Sequence, residues 1–312
     1  MASGSKKVIY AALIGNTLVA ITKFIAAVIT GSAAMLAEGI HSVVDTGNQV
    51  LLLYGLKQAK KPADELYPFG HGKEVYFWSF VVAILIFGLG GGISMYEGVG
   101  RLLHPQPVEK SLVSYFVLGL AMLFEGAALF FALTEFSRAK GKWGYIEAVQ
   151  RGKDPTLFVV LFEDSAALLG LAVAFFGVLL ADLTGDPVYD ALASVLIGLL
   201  LFGTAAWLAY ETKGLLIGER AQIRVVREIR ELIYRNDGVG NVNEILTLHM
   251  GPDYILANIS INFDDSLTSN QLEKLVAEID RQIRTAQPEV KKVFIEAEAM
   301  VNVELEESYK DE

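Results

Sequence analysis

The chain has 312 residues, 53% of them hydrophobic and only 20% charged, which is too apolar for an ordinary soluble domain and points to several membrane spans. A net charge of −10 argues against nucleic acid as a partner, because phosphate binding needs a basic face. With no cysteine and four histidines, disulfides and thiolate ligands are excluded, and any metal site must lean on carboxylates.

Six apolar stretches are long enough to cross a bilayer, which takes about 20 residues at a rise of about 1.5 Å. The expected spans are 8–30, 33–57, 75–101, 111–136, 156–181 and 188–211. Residues 1–5 look like a leader remnant and not a signal peptide, because the apolar run after them is of span length. Asn16 and Lys23 interrupt the first span. A packing hydrogen bond and a snorkelling lysine account for them.

The second span carries Glu38, His41, Ser42, Asp45, Asn48 and Gln49 within a run otherwise suited to lipid. An ionisable group at bilayer depth costs at least ~2.5 kcal/mol, so such residues mark a pathway or a site. His41 and Asp45 are four apart and share a helical face, where an imidazole and a carboxylate can hold two corners of a tetrahedral metal. Hydrolytic and di-iron readings lack a second element. Asp45-Thr46-Gly47 occurs once, Glu38-x-x-His41 occurs once, and His-Glu-x-x-His is absent. No enzyme is expected.

The loop 64–74 brings Asp64 and His71 into a Pro- and Gly-shaped segment that can bind or attract a peripheral cation, or simply form a tight turn with His71 capping the next helix. Gly88, Gly90, Gly91 and Gly92 in the third span predict close helix packing or a kink. Glu125, alone in the fourth span, reads as a proton or structural partner and not as a ligand. In the fifth span Glu163 and Asp164 are two adjacent acids in hydrocarbon, costly unless a cation or protons compensate them. An ion shared by the second and fifth spans satisfies both; the alternative is a buried, hydrogen-bonded polar cluster that holds no ion. Asp182, Asp186 and Asp190 read as a solvated acidic mouth.

Basic residues gather in two loops, Lys57, Lys60, Lys61 and Lys73 in one and Arg138, Lys140, Lys142, Arg151 and Lys153 in the other. The positive-inside rule then places both termini in the cytoplasm. The reading divides the chain into a membrane domain, 1–211, and a cytoplasmic domain, 212–312. In the latter, 223–235 is an amphipathic helix, 243–249 and 254–263 are strands joined at Gly251-Pro252-Asp253, 267–286 is a second helix and 290–297 a third strand. That order suggests a small ferredoxin-like α+β layer. The acidic end, 304–312, is expected to fray.

His41-x-x-x-Asp45, the Tyr67-Pro68-Phe69-Gly70-His71-Gly72-Lys73-Glu74 loop and six spans before an α+β domain together resemble the cation diffusion facilitators. His41-Ser42-x-x-Asp45-x-x-Asn48-Gln49, Leu103-His104-Pro105-Gln106-Pro107, Asp154-Pro155 and Leu161-x-Glu163-Asp164 look closest to the zinc-transporter-nine branch, with this chain as a prokaryotic relative.

The resemblance implies an all-α six-helix transmembrane domain, a homodimer in the lipid bilayer of the inner or plasma membrane, and efflux of cytoplasmic Zn2+ in exchange for protons. Its transport site matches His41, Asp45 and Asp164, while the fourth position falls on Val160. Glu163 substitutes there, sharing a helical face with 160 and 164, and Asn48 or water can complete the shell. Asp64 and His71 match a peripheral loop site whose third ligand position falls on Tyr67. The family's histidine-rich cytoplasmic site has Glu296 and Glu298 at its matching strand, with His249 the one histidine in the domain. A thiol-free site also suits Mn2+, Fe2+ or Co2+. A membrane metal sensor or scaffold without flux is the reading from a different class, and it has no need of acids at membrane depth.

Overall fold

A computed structural model describes residues 2–105 and 111–300. Gln106 and Pro107 of the motif above, and the acidic end 304–312, lie outside the described residues. The chain forms two compact units, Met1–Pro62 with Lys73–Gly214, and Ala63–Gly72 with Leu215–Glu312.

The first unit is helical: α1 (Ala2–Thr30), α2 (Ala33–Gln58), α3 (Glu74–Leu85), a π-helical segment (Ile86–Gly91), α4 (Gly92–Leu103), α5 (Ser111–Ala139), the short α6 (Tyr145–Arg151), α7 (Pro155–Thr184) and α8 (Val188–Ile217). Among the described residues, four stretches are long and apolar enough to cross a membrane: Glu74–Leu103, Leu112–Ala139, Pro155–Thr184 and Val188–Ile217. Gly15–Thr30 is a shorter apolar helix. The helix α2 is missing from that set because seven polar residues from Glu38 to Gln49 dilute its apolar run.

Local chemistry sets the joints. Gly31 takes the left-handed conformation (φ 69°) that ends α1, and Ser32 caps α2 by accepting from Met35 N at 3.1 Å. Asp190 of α8 completes that cap, accepting from Ser32 Oγ at 2.6 Å and from Ala33 N at 2.7 Å. It is therefore buried, and the expected solvated mouth keeps only Asp182 and Asp186. Of the four glycines of the third span, Gly90 and Gly91 pack closely on α8, where a Cβ would stand 3.3 Å from Leu201 and 2.5 Å from Phe202, while a Cβ on Gly88 would meet nothing within 4 Å. From the α8 side, a Cβ on Gly198 would stand 3.0 Å from Met95 N. The π segment lies at the same place, 86–91.

The second unit carries α9 (Ile223–Tyr234), β1 (Val239–Gly251), β2 (Tyr254–Phe263), α10 (Ser269–Ala286) and β3 (Val290–Ala297). The sheet runs β1-β2-β3, the first pair antiparallel and the second parallel. Val225, Ile229 and Ile233 of α9 and Ile279 and Ile283 of α10 recur at helical spacing and close over Ile255, Ala257, Ile259 and Ile261. The loop 63–72 belongs to this unit, where Gly72 packs against the Met250 carbonyl so closely that a Cβ would collide with it.

Candidate metal-transport site

On α2, Glu38, His41, Ser42, Asp45, Asn48 and Gln49 are all buried, each at most 2% exposed. Spacings of three and four bring them onto one side of the helix. The helix packs against α7, which buries Glu163 and Asp164. Asn48 Nδ2 donates to Glu163 Oε1 at 2.5 Å, and the Asp45 and Glu163 carboxyls are electrostatic neighbours. His41 Nδ1 lies 3.4 Å from Asp45 Oδ1. Asp164 sits one position on, in the electrostatic field of Glu125 and Glu163.

Several of these atoms have no hydrogen-bond partner: both ring nitrogens of His41, Asp45 Oδ1, Glu163 Oε2 and Asn48 Oδ1. A buried polar atom left unpaired costs roughly 1–3 kcal/mol, so a group of them between two helices is a concentration of strain that calls for a ligand, water or proton to offset it. All are nitrogen or oxygen donors of the kind that zinc or manganese takes. Val160 is only partly buried and offers no donor, whereas Glu163 reaches α2. Among the described residues, no three His, Asp or Glu side chains converge closely enough to hold an ion. Binding would require the α2 and α7 carboxyls to turn toward one point.

A second polar cluster adjoins the first. Lys23 of α1 is fully buried and donates to Glu38 Oε2 at 3.1 Å and to Ser42 Oγ at 2.8 Å, with Glu125 Oε1 of α5 at 3.9 Å. The snorkelling expectation for Lys23 is thereby corrected: its head lies among acids inside the helix bundle. A lysine near the middle of an apolar run was the signal, since an ammonium at that depth requires a counter-ion. Glu125, read from the sequence as a proton or structural partner, lies on the acidic side of this cluster.

The loop residues come together as well. Asp64 Oδ2 is 2.9 Å from His71 Nε2, and Asp64 Oδ1 accepts from Leu66 N at 3.0 Å and Tyr67 N at 2.7 Å. The His71 contact and the Tyr67 amide hold the Asp64 carboxyl below its ordinary range. Tyr67 stacks at a tilt on His71, with ring centroids 4.4 Å apart. In β1, His249 is buried, and its Nδ1 lies 3.3 Å from Gly251 O. Glu298 accepts from Ser260 Oγ.

The description "cation efflux transmembrane domain" matches residues 9–217. The "proton-coupled zinc antiporter SLC30A9, mitochondrial" of Xenopus laevis is 37% identical over 292 residues, 91% of this chain and 52% of that protein. Its Homo sapiens counterpart is 36% identical over 275 residues, covering 87% of this chain and 48% of that one. The chain thus spans about half the length of these relatives. The "manganese efflux system protein MneP" of Bacillus subtilis is 26% identical over 301 residues, 93% of this chain and 95% of that protein. With more than half of its length matched by the family's membrane domain, the chain belongs to the cation efflux family.

Proposed function

We propose that the chain is a divalent-cation efflux antiporter that exchanges cytoplasmic Zn2+ for protons at His41, Asp45, Glu163 and Asp164, with Asn48 orienting Glu163. The observation that carries this reading is the set of unpartnered donors buried between α2 and α7. His must be neutral and the carboxyls ionised to ligate, so loading the metal releases protons and reprotonation discharges it. One set of groups that holds either metal or protons is enough for coupled exchange. In this reading the six long helical stretches are the spans, both termini are cytoplasmic in a plasma or inner membrane, and the protein is a homodimer. The C-terminal segment, 212–312, is its cytoplasmic ferredoxin-like layer, and Asp64 and His71 are a weak peripheral site in which the Asp64 carboxyl also shapes the loop.

Relatives named for zinc antiport support zinc and protons as cargo. Manganese is the second reading, favoured by the relative named for manganese efflux and by a site rich in oxygen donors. The test is flux in proteoliposomes containing the full chain, with Asp45→Ala expected to abolish zinc/proton exchange while leaving the protein folded. Exchange that survives Asp45→Ala overturns the site. In calorimetry Glu163→Ala should lower zinc affinity by about 100-fold or more, beyond the roughly 10–100-fold loss typical when only a supporting group is removed.

A further inference from the structure

Glu38, Ser42 and Glu125 form a pocket of oxygens beside the His41 and Asp45 side of α2's polar stripe, and Lys23 reaches into it. The ammonium lies 3.1 Å from Glu38 Oε2, 2.8 Å from Ser42 Oγ and 3.9 Å from Glu125 Oε1. Glu125 is 1% exposed and neither of its oxygens receives a hydrogen bond; Glu38 Oε1 also has no partner. Glu38 reaches α7 at Gly170, where its Oε1 occupies the space a Cβ would fill. Two carboxylates and a hydroxyl around a single positive centre are the donors that a hard divalent cation takes from a protein.

We propose that Lys23 is a built-in cation occupying a second ion site, made by Glu38, Ser42 and Glu125, and that it reserves the transported metal for the His41 side of the bundle. Apart from Asp190, which caps α2, the buried carboxyls among the described residues of this unit are Glu38, Asp45, Glu125, Glu163 and Asp164. Without Lys23, cations would distribute between two sites, and the all-oxygen one would favour hard ions such as Mn2+ or Mg2+ over zinc. With it, one half of the acidic cluster is permanently ion-paired and the other half remains open. Lys23 thus sets both the number of ions held and the bias against hard competitors.

The inference adds to the transport reading but is tested separately, by the change in binding and not by its absolute value. Purified full-length Lys23→Met is titrated with MnCl2 by calorimetry beside wild type. Lys23→Met is expected to bind one more Mn2+ per chain, and Lys23→Met/Glu38→Gln is expected to lose that extra ion. A Lys23→Met protein with wild-type Mn2+ stoichiometry overturns the proposal. A wild type that binds no ion counts against the transport site alone, because the increment can still be read. If Lys23→Met does not fold in metal-free buffer, Mn2+ during purification should restore it, while Lys23→Met/Glu38→Gln folds without metal. Failure of Mn2+ to restore Lys23→Met beside a folded double variant overturns the proposal equally.

Discussion

At the scale of single residues, the two candidate sites differ in how far their polar atoms are satisfied. Asp64 shows the satisfied case. Its carboxyl accepts two backbone amides and faces His71, which together favour the ionised form. A carboxyl depressed in the folded state contributes stability above its unfolded pKa of about 3.9, and that contribution is lost as pH falls through the lower folded value. His71→Ala should therefore raise the Asp64 titration midpoint toward the ordinary carboxylate range, as followed by carbon-detected NMR of labelled aspartate. An unmoved midpoint would mean that the backbone amides alone hold the carboxyl. His41, whose ring nitrogens make no hydrogen bond although Nδ1 lies 3.4 Å from Asp45 Oδ1, is the contrasting case.

At the scale of elements, the position of α2 decides the site. Its N-terminus is held by Ser32 from its own chain end and by Asp190 from α8, a carboxylate against the positive end of a helix dipole. Asp190→Ala removes the acceptor for a hydroxyl and for backbone amides in a buried place, and should cost about 1–3 kcal/mol of stability. Thermal melting of the detergent-solubilised protein would measure it, and Asp190→Asn should lose less because one acceptor remains. No change in melting for Asp190→Ala would show that Ser32 alone is a sufficient cap. The close glycine contact of the π segment with α8 acts at the same scale, since backbones there approach as side-chain-bearing residues could not.

At the scale of the whole molecule, one consequence of the proposed exchange is directional. Metal loading releases protons, so higher pH on the loading side favours it and an opposing acid compartment drives unloading. An imposed proton gradient across proteoliposomes should therefore drive zinc transport, and a protonophore should abolish it; transport indifferent to the gradient would count against antiport. Much of this was legible in the residues: the apolar lengths, the amphipathic spacing of α9 and α10, and the alternation of β1 and β2 are short-range patterns that each segment carries in itself. The His41/Asp45 pair was equally visible, because residues four apart on a helix must share a face. What the chain alone could not reveal was pairing between distant segments. Lys23 with Glu38 and Glu125, Asp190 with the start of α2, and Asn48 with Glu163 come together only when separate helices pack, and packing depends on the fit of whole surfaces. The sequence by itself determined which residues are too polar for their surroundings; the tertiary structure alone decided which of them neutralise one another and which stay open, because a buried charge is settled by whatever the fold brings within a few ångströms of it.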